Sequence, residues 1–277
     1  MEIIDSHHHL WDLDLFQYDW MPEDNTILRQ SYVPDDLAPI FENYSISGSV
    51  VVQADQTVEE AKFLLKCAND FPWIKGVVGW VDLQDERVGD TLDELIGLGP
   101  LVGIRHQIEE ESDQEWLLRE QTLAGLKAVS DRNLSYDLLV KPVHLKQIPS
   151  VCNELPDLKM VVDHIAKPNI LDQELQPWSD LIYKLHPYEN LFCKVSGMVT
   201  EADHNDWKPQ DLLPYVQTVK EVFGIDRLMW GSDWPVCLLA ADYKEVMDAA
   251  LFALGEVSPE EKNRFMFGSA AEFYRLR

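Results

Sequence analysis

Eight short apolar, β-branched runs recur along the chain, most of them separated by amphipathic stretches, and this alternation constrains the fold more than any other feature. The runs are Glu2–Asp5, Ser47–Gln53, Lys75–Asp82, Leu101–His106, Leu134–Val140, Lys159–His164, Leu191–Ser196 and Leu228–Asp233. Five contain near-continuous apolar stretches, such as Ser49-Val-Val-Val-Gln53 and Val77-Val-Gly-Trp-Val81. Strands buried on both faces read this way. Between the runs, Val58–Phe71 places Ala61, Leu64, Leu65 and Ala68 at a helical period, and Asp113–Ser130, Asp172–Leu185, Gln210–Phe223 and Asp242–Leu254 are similar. Ser258-Pro-Glu-Glu261 joins a capping serine, a first-turn proline and a glutamate at the third position, so it opens a last helix. Strand–helix alternation sustained eight times predicts parallel strands with crossover helices. Eight such units in 277 residues suit a closed (β/α)8 barrel of the TIM type better than an open doubly wound sheet. No Gly/Ser/Pro-rich linker interrupts the series, so the expectation is one α/β domain spanning 1–277.

Composition narrows the partners. Hydrophobic residues make up 46% and charged residues 26%, enough apolar surface to offset the entropy of ordering a globular core. The formal charge of -26 repels phosphate backbones and anionic lipid, which argues against nucleic-acid and membrane-surface roles. Cys67, Cys152, Cys193 and Cys237 lie far apart with no CxxC pair, as in a reducing compartment. No apolar run reaches the roughly 18 residues of a membrane span, and Met-Glu-Ile-Ile-Asp lacks a basic n-region. A cytoplasmic protein is expected, with a homo-oligomer left open.

In a barrel of this kind the active site lies at the C-terminal ends of the strands. The first strand there carries His7-His8-His9, the fourth Arg105-His106, the sixth Asp163-His164, the seventh Lys194-Val-Ser196, and the eighth Gly231-Ser-Asp233-Trp-Pro235. His7 and His9 are two apart, so in extended chain they face one way and His8 the other. Two imidazoles on one face hold a metal or polarise an oxyanion. A carboxylate such as Asp233 beside them can orient and deprotonate water. The connection after the first strand, from Leu10 to about Val33, is long and aromatic, with Trp11, Phe16, Tyr18, Trp20 and Tyr32. Long loops in compact domains are often lids or binding walls.

Taken together, Asp5-Ser-His-His-His-Leu-Trp11, Gly103-Ile-Arg-His106, Val162-Asp-His-Ile-Ala-Lys-Pro168, Lys194-Val-Ser-Gly197 and Asp226-Arg-Leu-Met-Trp-Gly-Ser-Asp-Trp-Pro235 resemble the amidohydrolase-2 family. They are most similar to its sugar-lactonase branch, which includes L-fuconolactone, L-rhamnonolactone and pyrone-dicarboxylate hydrolases. The resemblance implies that His7 and His9 bind a divalent metal or polarise the substrate carbonyl. It implies that Asp233 is the base for the hydrolytic water, and that His164 bonds the lactone oxygen or the departing alkoxide. Arg105 and His106 fall where relatives contact substrate substituents. Lys167, Lys194, Trp11 and Trp234 complete the expected substrate-binding set.

One departure bears on metal. The fifth run has no histidine, the nearest being His144, and the fourth has no lysine. His7, His9 and Asp233 are then three ligands at most, completed by water, His106 or His164. A single zinc is the expected ion, as catalytic zinc often sits on three protein ligands plus water. The branch also includes metal-independent members, so either form of lactonase is expected. The alternatives are a metal-dependent decarboxylase of a small aromatic or unsaturated acid on the same fold, and a non-catalytic sugar-binding barrel.

Overall fold

The eight apolar runs pair in chain order into one all-parallel sheet. In the computed structural model, which describes residues 2–276, the strands are β1 (Ile4–His8), β2 (Gly48–Val52), β3 (Ile74–Gly79), β4 (Leu101–His106), β5 (Ser135–Leu138), β6 (Met160–Val162), β7 (Leu191–Val195) and β8 (Leu228–Trp230). The sheet curls until its ends meet. His9 N donates to Trp234 O at 2.7 Å and Asp233 N to His7 O at 2.8 Å, so the chain just beyond β8 lies parallel against β1. This is the (β/α)8 barrel the alternation predicts.

The helices between strands are α1 (Pro34–Tyr44), α2 (Val58–Asp70), α3 (Val88–Leu98), α4 (Glu120–Asp131), α5 (Ile148–Glu154), α6 (Trp178–Tyr183) and α7 (Pro209–Phe223), with α8 (Tyr243–Leu254), α9 (Pro259–Asn263) and α10 (Ser269–Phe273) after β8. α2 forms where its period predicts. Thr57 caps it by accepting from Glu60 N, and Ala61, Leu64, Leu65 and Ala68 turn inward. Two expected helices are shorter. Asp113–Arg119 is irregular but for one 3-10 turn, and α4 begins only at Glu120. Before α6, exposed Leu171 and Leu175 offer nothing to pack, and Pro177 cannot continue a helix in front of it. Ser258 caps α9 as its motif predicts, but a π turn at Arg264–Gly268 separates α9 from α10.

That break lets the end of the chain plug the barrel from below. Ala270, Phe273 and Tyr274 pack against Ile4, Val50, Val78, Val161, Phe192 and Met229 in a layer without charge. Above it, β1 carries an irregularity between Asp5 and His8. An extra residue in a strand resets which side chains face in, so Ile4 below and His7 above both point into the barrel. Asp5 instead meets Tyr243 of α8 at 2.9 Å.

Candidate active site

Four side chains from three strand ends converge at the top of the barrel. His7 Nε2 lies 3.2 Å from His9 Nε2 and 3.8 Å from Asp233 Oδ1. The same carboxylate oxygen lies 3.3 Å from His9 Nε2 and 3.9 Å from His164 Nε2. His8 points the other way, to Ser49 Oγ at 2.8 Å, as the parity of an extended segment requires.

Each group is held from behind. His9 Nδ1 donates to Val52 O at 2.8 Å, and His164 Nδ1 lies 2.9 Å from Ser196 Oγ. Asp233 has a left-handed backbone (φ 59) and is clamped by its neighbours. Asp5 Oδ1 accepts from Ser232 N at 2.9 Å and His7 N at 3.1 Å, while Ser232 Oγ accepts from Trp234 N at 3.0 Å. The turn after β6 is stranger, because His164, Ile165, Ala166 and Lys167 are consecutively left-handed with φ 51, 48, 64 and 48. Such residues cost on the order of 1–2 kcal/mol each. This strain aims both His164 and Lys167 into the cleft. Gly197 (φ +60) makes room for it: a Cβ there would stand 2.4 Å from His164 Nδ1.

Beneath His7 lies a buried ionic layer. Lys194 Nζ donates to Asp137 Oδ2 at 2.5 Å and to His7 Nδ1 at 3.0 Å, and stands 3.0 Å from Asp163 Oδ1. Arg105 Nη1 donates to Asp163 Oδ2 at 3.2 Å, and its Nη2 donates to Gln53 O. Tyr274 reaches up from the plug to Asp137 Oδ2 at 2.7 Å. Burial, reinforced by the Lys194 charge, holds His7 far below its usual range. Burial also pushes His164 down to about 4. For Asp233 burial works upward, but His164 and His9 outweigh it and hold the carboxyl below its ordinary value. Near neutral pH the cluster is therefore an ionised carboxylate facing neutral His7 and His164.

Above it opens a cleft of about 120 Å³. Of the expected residues, His9, Arg105, His164, Lys167 and Asp233 line it. His7 forms the floor behind them, fully buried. Four expected substrate-binding residues do not reach the cleft. Trp11 is fully buried at the hub of the long loop, its ring 5.4–6.1 Å from those of Tyr18, Trp20 and Tyr32. Trp234 is buried against Tyr32. Lys194 is sealed under His7. His106 stacks on Trp116 at 4.0 Å and pairs with Glu111 at 2.8 Å. Trp20 of the aromatic loop does line the cleft, and so do Gln107, Glu109, Glu110 and Thr200, which carry no signal in the sequence. All come from loops, where neither period nor strand parity marks a side chain's direction.

His7, His164 and Asp233 offer atoms within 4.8 Å of one another, spacing suited to a metal ion. His9 and His164 fit such a role, since each turns its other nitrogen to an oxygen. His7 fits less well, because its Nδ1 lies nearer the Lys194 ammonium, at 3.0 Å, than the Asp163 carboxylate, at 3.4 Å. The donor set as held does not suit a metal bound through His7.

A closed parallel barrel with imidazoles and an aspartate gathered at its strand ends defines a barrel hydrolase. The chain belongs to the amidohydrolase family, whose model matches residues 4–276. It is similar to an L-fucono-1,5-lactonase of Burkholderia multivorans, 34% identical over 284 residues that cover 99% of this chain and 96% of that one. An L-fucono-1,5-lactonase of Burkholderia ambifaria is 32% identical over 282 residues, covering 99% and 95%. The crystal structure of a Burkholderia multivorans amidohydrolase with bound zinc superposes with TM-score 0.93 at 33% identity, covering 100% of both chains.

Proposed function

We propose that the chain opens the ring ester of a neutral sugar-acid lactone, with Asp233 as the base for the attacking water. The observation that carries this is the ionised Asp233 carboxylate, set among three imidazoles at the floor of a polar cleft. Relatives bearing the name L-fucono-1,5-lactonase over nearly their whole length supply the substrate class.

The cleft also favours a neutral ring over a dicarboxylate. Lys167 is already paired with Glu109 at 2.7 Å and Arg105 with Asp163. Glu110 and Asp233 add negative charge nearby. An anionic substrate would displace these pairs, whereas hydroxyls can bond to them and to Gln107 and Thr200 as they stand.

In the proposed reaction, Asp233 takes a proton from water and the oxygen attacks the lactone carbonyl carbon. N–H groups of the imidazole cluster bond the developing oxyanion, an effect worth roughly 10²–10³ in rate for a well-placed donor. The ring C–O bond then breaks, and the departing alkoxide takes the proton from Asp233 with His164 beside it. Water and ester become acid and alcohol, with no proton left over. Small-molecule turnover in a reducing cytoplasm is part of the same reading, and the four cysteines are buried and unpaired.

The test is acid release from a panel of aldonolactones, L-fucono-1,5-lactone among them, followed with a pH indicator against the spontaneous rate. Asp233→Asn is expected to lose about 10²–10⁴ in kcat with an unchanged melting curve. Near-normal turnover in that variant would sink the mechanism, and silence toward every lactone would sink the substrate class.

A further inference from the structure

Three polar atoms crowd one small space: the His9 Nε2 lone pair, the Asp233 carboxylate and His7 Nε2. His9 Nδ1 faces Val52 O at 2.8 Å, so that nitrogen bears the hydrogen and a neutral His9 turns a lone pair toward His7 Nε2 at 3.2 Å and Asp233 Oδ1 at 3.3 Å. If His7 Nε2 were bare as well, three electron-rich atoms would converge within 3.8 Å, countered only by the Arg105 guanidinium 3.4 Å from His7 Nε2. Such a triangle requires either a metal ion or a proton.

Lys194 decides between these. Its Nζ donates to Asp137 Oδ2 at 2.5 Å and meets His7 Nδ1 at 3.0 Å, and it stands 3.0 Å from Asp163 Oδ1 as an ion pair. An ammonium against Nδ1 requires a lone pair there, which leaves the ring's single hydrogen on Nε2. The opposite tautomer would donate Nδ1–H to Asp163 Oδ1 at 3.4 Å and accept from Arg105 Nη1 at 3.4 Å. It would exchange contacts of 3.0 and 3.2 Å for two longer ones, and would set two donors against each other at 3.0 Å. The favoured tautomer leaves one donor–donor approach, Arg105 Nη1 to His7 Nε2, at the looser 3.4 Å.

We propose that Lys194 is a positioning residue which, by donating to His7 Nδ1, keeps the His7 proton on Nε2, where it joins acceptors that would otherwise trap a divalent metal. A buried lysine on β7 thus supplies through one imidazole the positive centre that a metal supplies elsewhere. What the proton does in turnover rests on the lactonase reading above. The tautomer and the metal balance do not, so their failure is separable from a failure of that reading.

The experiment has two arms. Long-range 15N–1H correlation on histidine-labelled protein, with His7 assigned by its loss in His7→Asn, reads the tautomer directly. Nε2–H is expected, and an Nδ1–H pattern in the wild-type protein overturns the proposal. The second arm measures zinc by mass spectrometry after dialysis against zinc chloride. Lys194→Met alone leaves Asp137 without a cation and risks unfolding, so Lys194→Met/Asp137→Asn, which keeps the buried charge balanced, is the informative variant. It is expected to switch His7 to Nδ1–H and to rise from well below one to about one zinc per chain, a gain lost again on adding His7→Asn. Equal zinc in the folded double variant and the wild type overturns the proposal. If the double variant does not fold, the wild-type spectrum decides alone.

Discussion

Two layers of the barrel interior lie one above the other, equally closed to water, and are built on opposite terms. The lower holds Val50, Val52, Val161, Met229 and the Phe273 plug, and the upper holds Asp137, Asp163, Lys194 and His7, all fully buried. The lower layer gains from every methylene it hides, about 25 cal/mol per Å² of apolar surface. The upper layer meets a desolvation cost of several kcal/mol per ion that its pairings only offset. Buried ion pairs of this kind are weak grounds for stability. What the upper layer provides is orientation, since a hydrophobic filling could not tell His7 where to carry its hydrogen or hold Arg105 against the strand ends.

The comparison breaks if damage to the two layers has the same consequences. Phe192→Ala in the lower layer and Lys194→Met in the upper are each expected to cost about 3–5 kcal/mol of unfolding free energy, one by leaving a cavity and the other by leaving uncompensated charge. Urea titration measures that. Steady-state kinetics should then separate them, with kcat preserved in Phe192→Ala and lost in the folded Lys194→Met/Asp137→Asn variant. Equal kcat in both would mean that the ionic layer is mere filling.

Gly197→Ala sharpens the point at the rim, because its Cβ would meet His164 Nδ1 at 2.4 Å in a left-handed backbone. A displacement of about 1 Å at a working group costs on the order of 10²-fold, so kcat should fall by about that much with little change in KM. The pH profile comes next. His164 loses its proton near about 4 and Asp233 lower than usual, so kcat/KM should be level from about pH 5 to about pH 8 and fall only below about pH 4. An acid limb centred near 6.5 would mean that a solvated histidine, not this buried cluster, controls turnover. The smallest effect belongs to Trp20, the aromatic ring of the long loop that does face the cleft. Trp20→Ala should raise KM several-fold, as the loss of about 0.5–1.5 kcal/mol of ring contact predicts, and leave kcat alone.

The lower layer was the more legible in sequence, because apolar runs announce buried strands. The helices α1, α3 and α5 went unmarked for a plain reason. Pro39 interrupts α1, Gly89 and Gly97 dilute α3, and α5 spans only 7 residues, too few to show a period, so packing rather than intrinsic preference makes them helical. The apolar pattern predicts the first strand at Glu2–Asp5, but it runs Ile4–His8, since a histidine run carries no strand signature and extends only because Gly48, Ser49 and Val51 pair with it. In the site, the strand-borne His7, His9, His164 and Asp233 could be read from position and parity. The aromatic residues could not: in a loop that folds on itself, nothing in the spacing says that Trp11 turns to the core and Trp20 to the cleft. Asp137 and Asp163 went unselected because a carboxylate in an apolar run does not reveal that a lysine on β7 waits opposite it.

The seam where Asp233 N meets His7 O has a consequence for how the protein is made. The carboxylate and the imidazole lie at opposite ends of the barrel's strand order, so no earlier stretch of chain contains both. A ribosome adding about 5–20 residues per second releases the histidines first, and they wait on an open sheet edge with no partner until residue 233 emerges. On the proposed mechanism the nascent chain has no complete site throughout that interval, and the site forms only when the last strand docks onto the first.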